Sequence, residues 1–388
     1  MISSLGKILR DALQVNPLAH VNAFLGYLSW LFHTPKPINR PARLDLVLTK
    51  ACNLRCTFCI SYDSLGGQRW MDFSLYERIA RKLFATAHRV YFCSGGEPLL
   101  YPKIREALRL ARHYRTFTTM VSNGTLLNRE TSQWLARDQS LHELQISFDG
   151  ARKETLERIR DGASYETILE NIDFLSALKR RESLSYPRLS FHYIVMKSNA
   201  EELPDIFKIC SRYGVSRVWV DYLNVANEIE ANESLFFHRE LAAEIFAESK
   251  RRAREEGIGL KLPPLPGQVQ RRKRCSYPWQ FVLIEPDGSI RCCYKSWQQR
   301  LGFYSEDFGS LWRGEIFQKI RRTIASAAPF FPYCRYCSEC LGYNQESAHN
   351  QRIYSEAYVI PGLEHLQTSL NQRFEENLRS FLEFKANS

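Results

Sequence analysis

Between residues 43 and 223 one local pattern recurs six times: a short β-prone run followed by a stretch with helical periodicity. "RLDLVLTK" (43–50) alternates like a strand, and "SLYERIARKLFATAH" (74–88) puts Leu75, Ile79 and Leu83 on one helical face. The pattern continues with "VYFCSGG" (90–96) and a helix opened by Pro102, then "TFTTMVSNG" (116–124) and a helix from Asn128. "LQISFDG" (144–150) follows, with a helix that turns Ile168, Leu169, Ile172 and Leu175 inward. "LSFHYIVM" (189–196), a helix through "DIFKICSRY" and "SRVWVDYL" (216–223) complete it. Strands separated by helices pair in parallel through right-handed crossovers, which constrains the chain to the α/β class. Six such units predict a partial (β/α)6 TIM-like barrel, whose chemistry belongs at the C-terminal ends of the strands. A cysteine loop after residue 50, "SGGEP", "SNG" and "SFDG" all fall at such ends.

Beyond residue 225 the pattern changes. A charged helix (about 232–256) ends at Gly257, "LPPLPGQ" (262–268) reads as a linker, and residues 270–345 are Cys-rich and short in regular elements. Five segments are therefore expected: an N-terminal helical segment 1–42, the barrel 43–225, a linker helix and connector 226–269, a small Cys-rich domain 270–345 and a helical tail 346–388. In the tail, Leu363, Leu366, Leu370, Phe374 and Leu378 mark an amphipathic helix expected to dock on the barrel. From Ala12 to Pro35 there is no Asp, Glu, Lys or Arg, and "LAHVNAFLGYLSWLF" (18–32) is largely apolar. That stretch is too short and too polar to span a bilayer. It reads as a helix packed on the main domain or, through residues 12–35, as a helix lying on a membrane surface. No secretory cleavage pattern follows it, so a cytoplasmic protein is expected, with membrane association as an option.

The net charge is +11, part of it concentrated in "KRR" (179–181), "KRRAR" (250–254) and "QRRKR" (270–274). Such runs are either solvated helix ends and linkers or an attraction for an anionic partner: a phosphorylated metabolite, a nucleic acid or a lipid headgroup. No nucleic-acid module is recognisable, which sets nucleic acid aside. Of eleven cysteines, eight lie in tight clusters, an arrangement that in a long chain argues for metal. "KACNLRCTFCISY" (50–62) places Cys52, Cys56 and Cys59 on the loop after the first strand. Three thiolates hold three irons of a [4Fe–4S] cube, whereas a closed zinc site wants four ligands, and no His or fourth Cys is near. The vacant iron can then take a small molecule. Cys93 and Cys210 read as packing thiols, with a hydrogen-donor role as the alternative for Cys93. His192 reads as a core histidine, and Asp221 and Tyr222, ending the sixth strand, as substrate contacts.

C-x3-C-x2-C after the first strand, followed by "SGGEPLLYP" (94–102), closely resembles the radical S-adenosylmethionine (SAM) superfamily over residues 43 to about 225. The resemblance implies that the open iron chelates SAM, and that an electron from the cluster releases a 5′-deoxyadenosyl radical. It implies Cys52, Cys56 and Cys59 as cluster ligands and Phe58 as the aromatic over the adenine. Gly95, Gly96 and Glu97 would meet the SAM amino group, and Ser122, Asn123, Ser147 and Asp149 the ribose and sulfonium region. Arg160 would pair the SAM carboxylate, as suits a guanidinium fork. Asn199 is either a further contact or a cap.

The second half, with Cys275, "YPW", "PDGSIRCC", "SLWRGEIFQKIR" and "CRYCSEC", resembles the SPASM/twitch extensions of the same superfamily. That implies one auxiliary [4Fe–4S] cluster on Cys275, Cys293, Cys334 and Cys337, with Cys292 or Cys340 as replacements; zinc fits a four-Cys count as well. The expected activity is hydrogen abstraction from a sugar-type or other anionic small metabolite, giving epimerisation or dehydrogenation, with an electron donor such as flavodoxin or ferredoxin. The alternatives are a peptide- or protein-modifying maturase, a membrane-surface enzyme on a lipid-linked substrate, and a non-catalytic iron–sulfur or zinc protein. In the epimerase reading Cys292 would return the hydrogen atom.

Overall fold

The computed structural model describes residues 13–59, 69–223, 232–235, 238–265, 274–294 and 300–324, together with Cys334 and Cys337. Cys340 and the tail 346–388 lie outside the described residues.

The six expected strands are present: β1 (Arg43–Leu46), β3 (Arg89–Phe92), β4 (Phe117–Ser122), β5 (Glu143–Ser147), β7 (Arg188–Val195) and β8 (Arg217–Tyr222). They pair in parallel in that order. The intervening helices are α2 (Phe73–Leu83), α3 (Ile104–His113), α4 (Arg129–Asp138), α6 (Tyr165–Arg181) and α7 (Ile206–Tyr213). Asn128 and Ser164 cap α4 and α6 by accepting from Thr131 and Thr167 N–H. Pro102 does not open a helix. A 3-10 turn (Pro98–Leu100) comes first, and α3 begins at Ile104. A short α5 (Lys153–Ile159) and a two-residue ribbon, β2 (Arg55–Cys56) with β6 (Arg160–Asp161), were not visible in the sequence pattern.

Strand alternation divides the sheet into two faces. Leu44, Leu46, Val90, Phe92, Met120, Leu144, Ile146, Phe191, Val218 and Val220 are buried in one core with the helices. The opposite face carries Asp45, Tyr91, Thr119, Glu143, Gln145, Ser190, His192, Trp219 and Asp221, at register positions that bring them side by side.

The sheet extends beyond the six strands at both edges. After α8 (Arg239–Glu255), β9 (Gly259–Lys261) extends it beside β8. On the other edge β10 (Phe281–Ile284) pairs in parallel with β1, and β11 (Ser289–Arg291) and β12 (Gly302–Phe303) follow antiparallel. One ten-stranded sheet results, ordered β12-β11-β10-β1-β3-β4-β5-β7-β8-β9.

Residues of the C-terminal motifs lock this junction. Trp279 of "YPW" donates its indole N–H to Thr34 O (2.8 Å), and its own carbonyl accepts from Asn39 Nδ2 (2.8 Å). Trp312 of "SLWRG" donates to Asn39 O (2.8 Å). Arg321 is 2 % exposed; it donates to the carbonyls of Pro278, Pro35 and Trp312 and stacks on the Trp312 ring at 4.4 Å. The N-terminal helix α1 (Pro17–Leu31) packs across the starts of the strands. Asn22 bridges Arg40 and Thr86, and Val15 and Ala19 rest on Phe117. Among the described residues no helix is long and apolar enough to cross a membrane.

Breaking the Arg321 junction strands three carbonyls in a dry interior. Arg321→Met is expected to cost about 3 kcal/mol, and Trp312→Ala about 3–5 kcal/mol. Urea unfolding checks both, and an unchanged midpoint for either would show that the C-terminal strands do not depend on this contact.

Candidate active site at the strand ends

The cysteine loop leaves β1 and returns to it. Lys50 N–H donates to Arg69 O, and Met71 N–H to Leu48 O. Within it Cys56 lies in β2, opposite Arg160 of β6, and Thr57 N–H bonds Ile159 O. Cys52, Cys56 and Cys59 are free, half-buried thiols. Leu54 N–H points at Cys52 Sγ (3.5 Å) and Arg160 Nη1 at Cys56 Sγ (3.6 Å). Burial raises the Cys52 thiol and pushes Cys56 up to about 11. Iron binding must therefore displace the protons, and donors aimed at sulfur favour the thiolate.

The loop is fastened to the next two strand ends. Gly96 N–H donates to Thr49 O and Glu97 N–H to Ala51 O, both at 2.8 Å. A Cβ on Gly96 would overlap the Ala51 carbonyl, so this glycine lets two backbones touch. Gly95, with φ +103°, makes the turn before it. Glu97 is 2 % exposed. Its carboxylate accepts from Ser122 Oγ (2.8 Å), Asn123 N–H (2.7 Å) and Leu99 N–H (3.1 Å). Burial raises its pKa and these bonds oppose the rise. Glu97 thus brackets the ends of β3 and β4. Asn123 Nδ2 bonds Asn53 Oδ1 (2.9 Å), and its Oδ1 accepts from Thr125.

Asp149 is fully buried. Its Oδ1 accepts from Ile194 N–H (2.7 Å), and its Oδ2 lies 2.5 Å from Arg160 Nη2. Burial alone would lower the Arg160 pKa, but Asp149 and the Cys56 thiol outweigh it and the net shift is upward. Arg160 also stands 5.7 Å over the Phe58 ring, and its Nε is buried with no hydrogen-bond partner among the described residues. Asn199 ties Asp149 O to Ile194 O and Met196 N–H, so it is a clasp between β5 and β7. Ser147 ends β5 on the polar face, beside His192.

The structure places Tyr222, Cys292 and His192 differently from expectation. Tyr222 is 2 % exposed, donates to Pro264 O (3.1 Å) and packs on Phe246, so it is structural. Cys292 is 2 % exposed in the apolar core, where burial raises its thiol, and that placement withdraws it from a hydrogen-donor role. His192 is not a core histidine: it sits on the polar face with Nε2 2.8 Å from Asp221 Oδ2. Cys210 is buried as expected, while Cys93 joins a buried polar group in which its Sγ (3.1 Å) and Ser94 Oγ (2.5 Å) both reach Asp45. Asp45 was overlooked, although an aspartate inside "RLDLVL" was the signal available.

On the C-terminal side Cys275, Cys293 and Cys334 are half-buried and Cys337 is buried. Glu285 of the "EPDG" turn lies 3.7 Å from Lys50 and pairs with Arg291, and all three side chains are nearly buried. This ion chain joins the root of one cysteine cluster to the strand that leads into the other.

The donor set fits a cube bound at separate corners: three thiols on one loop, N–H groups aimed at two of them, and the unpartnered Nε of Arg160 beside Phe58. Comparison with known proteins agrees. The model of the radical SAM superfamily matches residues 46–210, and that of an iron–sulfur cluster-binding domain, SPASM, matches 275–341. The chain is 23% identical to the antilisterial bacteriocin subtilosin biosynthesis protein AlbA of Bacillus subtilis, over 82% of this chain and 71% of that one. It is 25% identical to the PqqA peptide cyclase of Rhodopseudomonas palustris, over 66% and 67%. The crystal structure of Streptococcus suis SuiB bound to S-adenosylmethionine superposes with a TM-score of 0.60 at 15% identity, covering 80% of this chain and 74% of that one.

Gly96→Ala drives a methyl into the Ala51 carbonyl. Anaerobic reconstitution should then fall from roughly eight irons per chain to roughly four, with the far-UV spectrum unchanged. Full iron loading of the variant would show that the loop does not need this close contact.

Proposed function

We propose that this chain, which belongs to the radical SAM superfamily and carries a C-terminal SPASM domain, modifies a peptide or protein substrate. The observation that carries this reading is the match to a bacteriocin biosynthesis protein across 82% of the chain, supported by the match to a PqqA peptide cyclase. The sugar-type substrate expected from the flavour of the C-terminal motif has no comparable support.

Cys52, Cys56 and Cys59 would hold a [4Fe–4S] cluster, which together with SAM would supply radical chemistry for hydrogen abstraction from the substrate. The residues around it have separate tasks. Arg160 Nε is available to a carboxylate, and Phe58 offers a flat apolar surface to a purine. Asp149 holds Arg160 in place, and Glu97 holds the loop. Glu143, Gln145, Ser190, His192 and Trp219 are half-exposed along the polar face, and Asp221 is exposed. That face offers donors and acceptors on neighbouring strands, which suits a main chain and its side chains. Cys275, Cys293, Cys334 and Cys337 would hold the auxiliary cluster. The +11 charge favours an acidic electron donor such as flavodoxin or ferredoxin.

Reconstituted enzyme given SAM, reductant and a candidate precursor peptide should form 5′-deoxyadenosine together with a peptide of altered mass or fragmentation pattern. Cys56→Ala should form neither. Nucleoside coupled to turnover of a nucleotide-linked sugar, with peptides unchanged, would overturn the peptide reading while leaving the radical chemistry intact.

A further inference from the structure

Helix α1 is built inside out. Its buried positions, Ala19, Asn22, Gly26 and Ser29, recur every three or four residues along one face, and all are small or polar. Its exposed positions are the large apolar ones: Leu18, Val21, Phe24, Tyr27, Leu31 and, just beyond the helix, Phe32, with exposures from 44% (Leu31) to 73% (Phe32). The packing explains why the helix cannot turn over. A Cβ on Gly26 would stand 3.0 Å from Asn39 Nδ2 and 3.5 Å from Trp279 O, so only a small face fits the seat. Asn22 bonds Arg40 through both its oxygen and its nitrogen, and Thr86 through its nitrogen. An apolar patch of this kind, left against water, marks an interaction surface.

The border of the patch identifies what covers it. No Asp, Glu, Lys or Arg occurs from Ala12 to Pro35. Four arginines border the helix: Arg115, Arg274 and Arg313 through guanidinium contacts to its flanks or last turn, and Arg40 through backbone bonds to Asn22. Arg115 donates to Leu13 O and Gln14 O, and Arg274 donates to Trp30 O while stacking on the Trp30 ring at 4.9 Å. Arg40 donates to Lys82 O, and Arg313 to Pro37 O and Ile38 O. Among the described residues none of these four is in an ion pair. An apolar stripe with aromatic residues and an arginine border complements the acyl boundary and anionic headgroups of a lipid leaflet. A second copy of a chain carrying +11 would set like charges against each other instead.

We propose that α1 docks this enzyme on an anionic lipid surface. The seat fixes the orientation. Every anchor of the helix is at a strand start: Arg115 before β4, Thr86 before β3, and Arg40 before β1. The cysteine loop is at the opposite, C-terminal ends. The docked protein therefore turns its site toward water, which favours a soluble substrate over a lipid-linked one.

Flotation of the full-length protein with extruded vesicles tests the proposal. The protein should float with phosphatidylcholine vesicles containing phosphatidylglycerol, much less with phosphatidylcholine alone, and less as salt is raised. The triple variant Leu18→Ser, Phe24→Ser, Leu31→Ser should lose roughly a hundredfold in partitioning, with SAM cleavage retained. Phe32→Ser, just outside the helix, should weaken binding in the same direction and guards against misfolding of the triple variant. Three outcomes would overturn the proposal. One is no flotation with anionic vesicles. Another is a wild-type dimer, seen by light scattering, that the triple variant converts to monomer. The third is flotation gained only after removal of residues 346–388, which would mean that the tail covers the face.

Discussion

A carboxylate that water cannot reach organises the site. Glu97 accepts three hydrogen bonds from groups on the end of β4 and on its own 3-10 turn, while its backbone N–H bonds Ala51 at the root of the cysteine loop. A buried charge of this kind is tolerable only when its lone pairs are occupied, and removing its partners costs the full desolvation penalty. The ends of β1, β3 and β4 are thereby held at one separation. Gly96 makes that separation small enough for backbone to touch backbone. Among its described residues, the loop that carries three thiols is fastened from beneath by these bonds.

The second constraint works along the sheet. Pairing of β10 with β1 places Cys275, before β10, and Cys292 and Cys293, after β11, beside strands of the sheet that carries the first cluster loop. Lys50, Glu285 and Arg291 bridge the two regions in a nearly dry setting. Breaking a buried pair of that sort costs about 3–5 kcal/mol because one charge is left without compensation. The tryptophans and arginine of the C-terminal motif, Trp279, Trp312 and Arg321, fasten the same junction to residues 34–39. The motif is in large part architecture. That is why it identifies a domain without naming a substrate.

Much of the fold was legible because its signals are local. Period-two and period-3.6 alternation marked six strands and their helices to within a few residues, and the cap Asn128 lies where the pattern placed a helix start. The thiol triplet and the glycine strand end were legible for a related reason, since short spacings on one loop cannot be far apart in space. The roles of Glu97, Tyr222, Cys292 and His192 were not legible. Each sits on a strand or beside one, and alternation says that a residue faces one side or the other without saying what occupies that side. Tyr222 met Pro264 and Phe246, while His192 met Asp221 on a neighbouring strand, through pairings that no local spacing encodes.

The sequence by itself determined the α/β class, the order of strands, the three-thiol loop and the family to which they belong, because all of these follow from periodicity and from residues close along the chain. Only the tertiary structure decided that the C-terminal strands join the same sheet, that Glu97 and Asn199 are clasps, and that α1 buries its small, polar side. Those outcomes depend on which distant backbone carbonyls and amides are brought within hydrogen-bond reach, and a buried polar group settles where its partners are rather than where its own periodicity would point it.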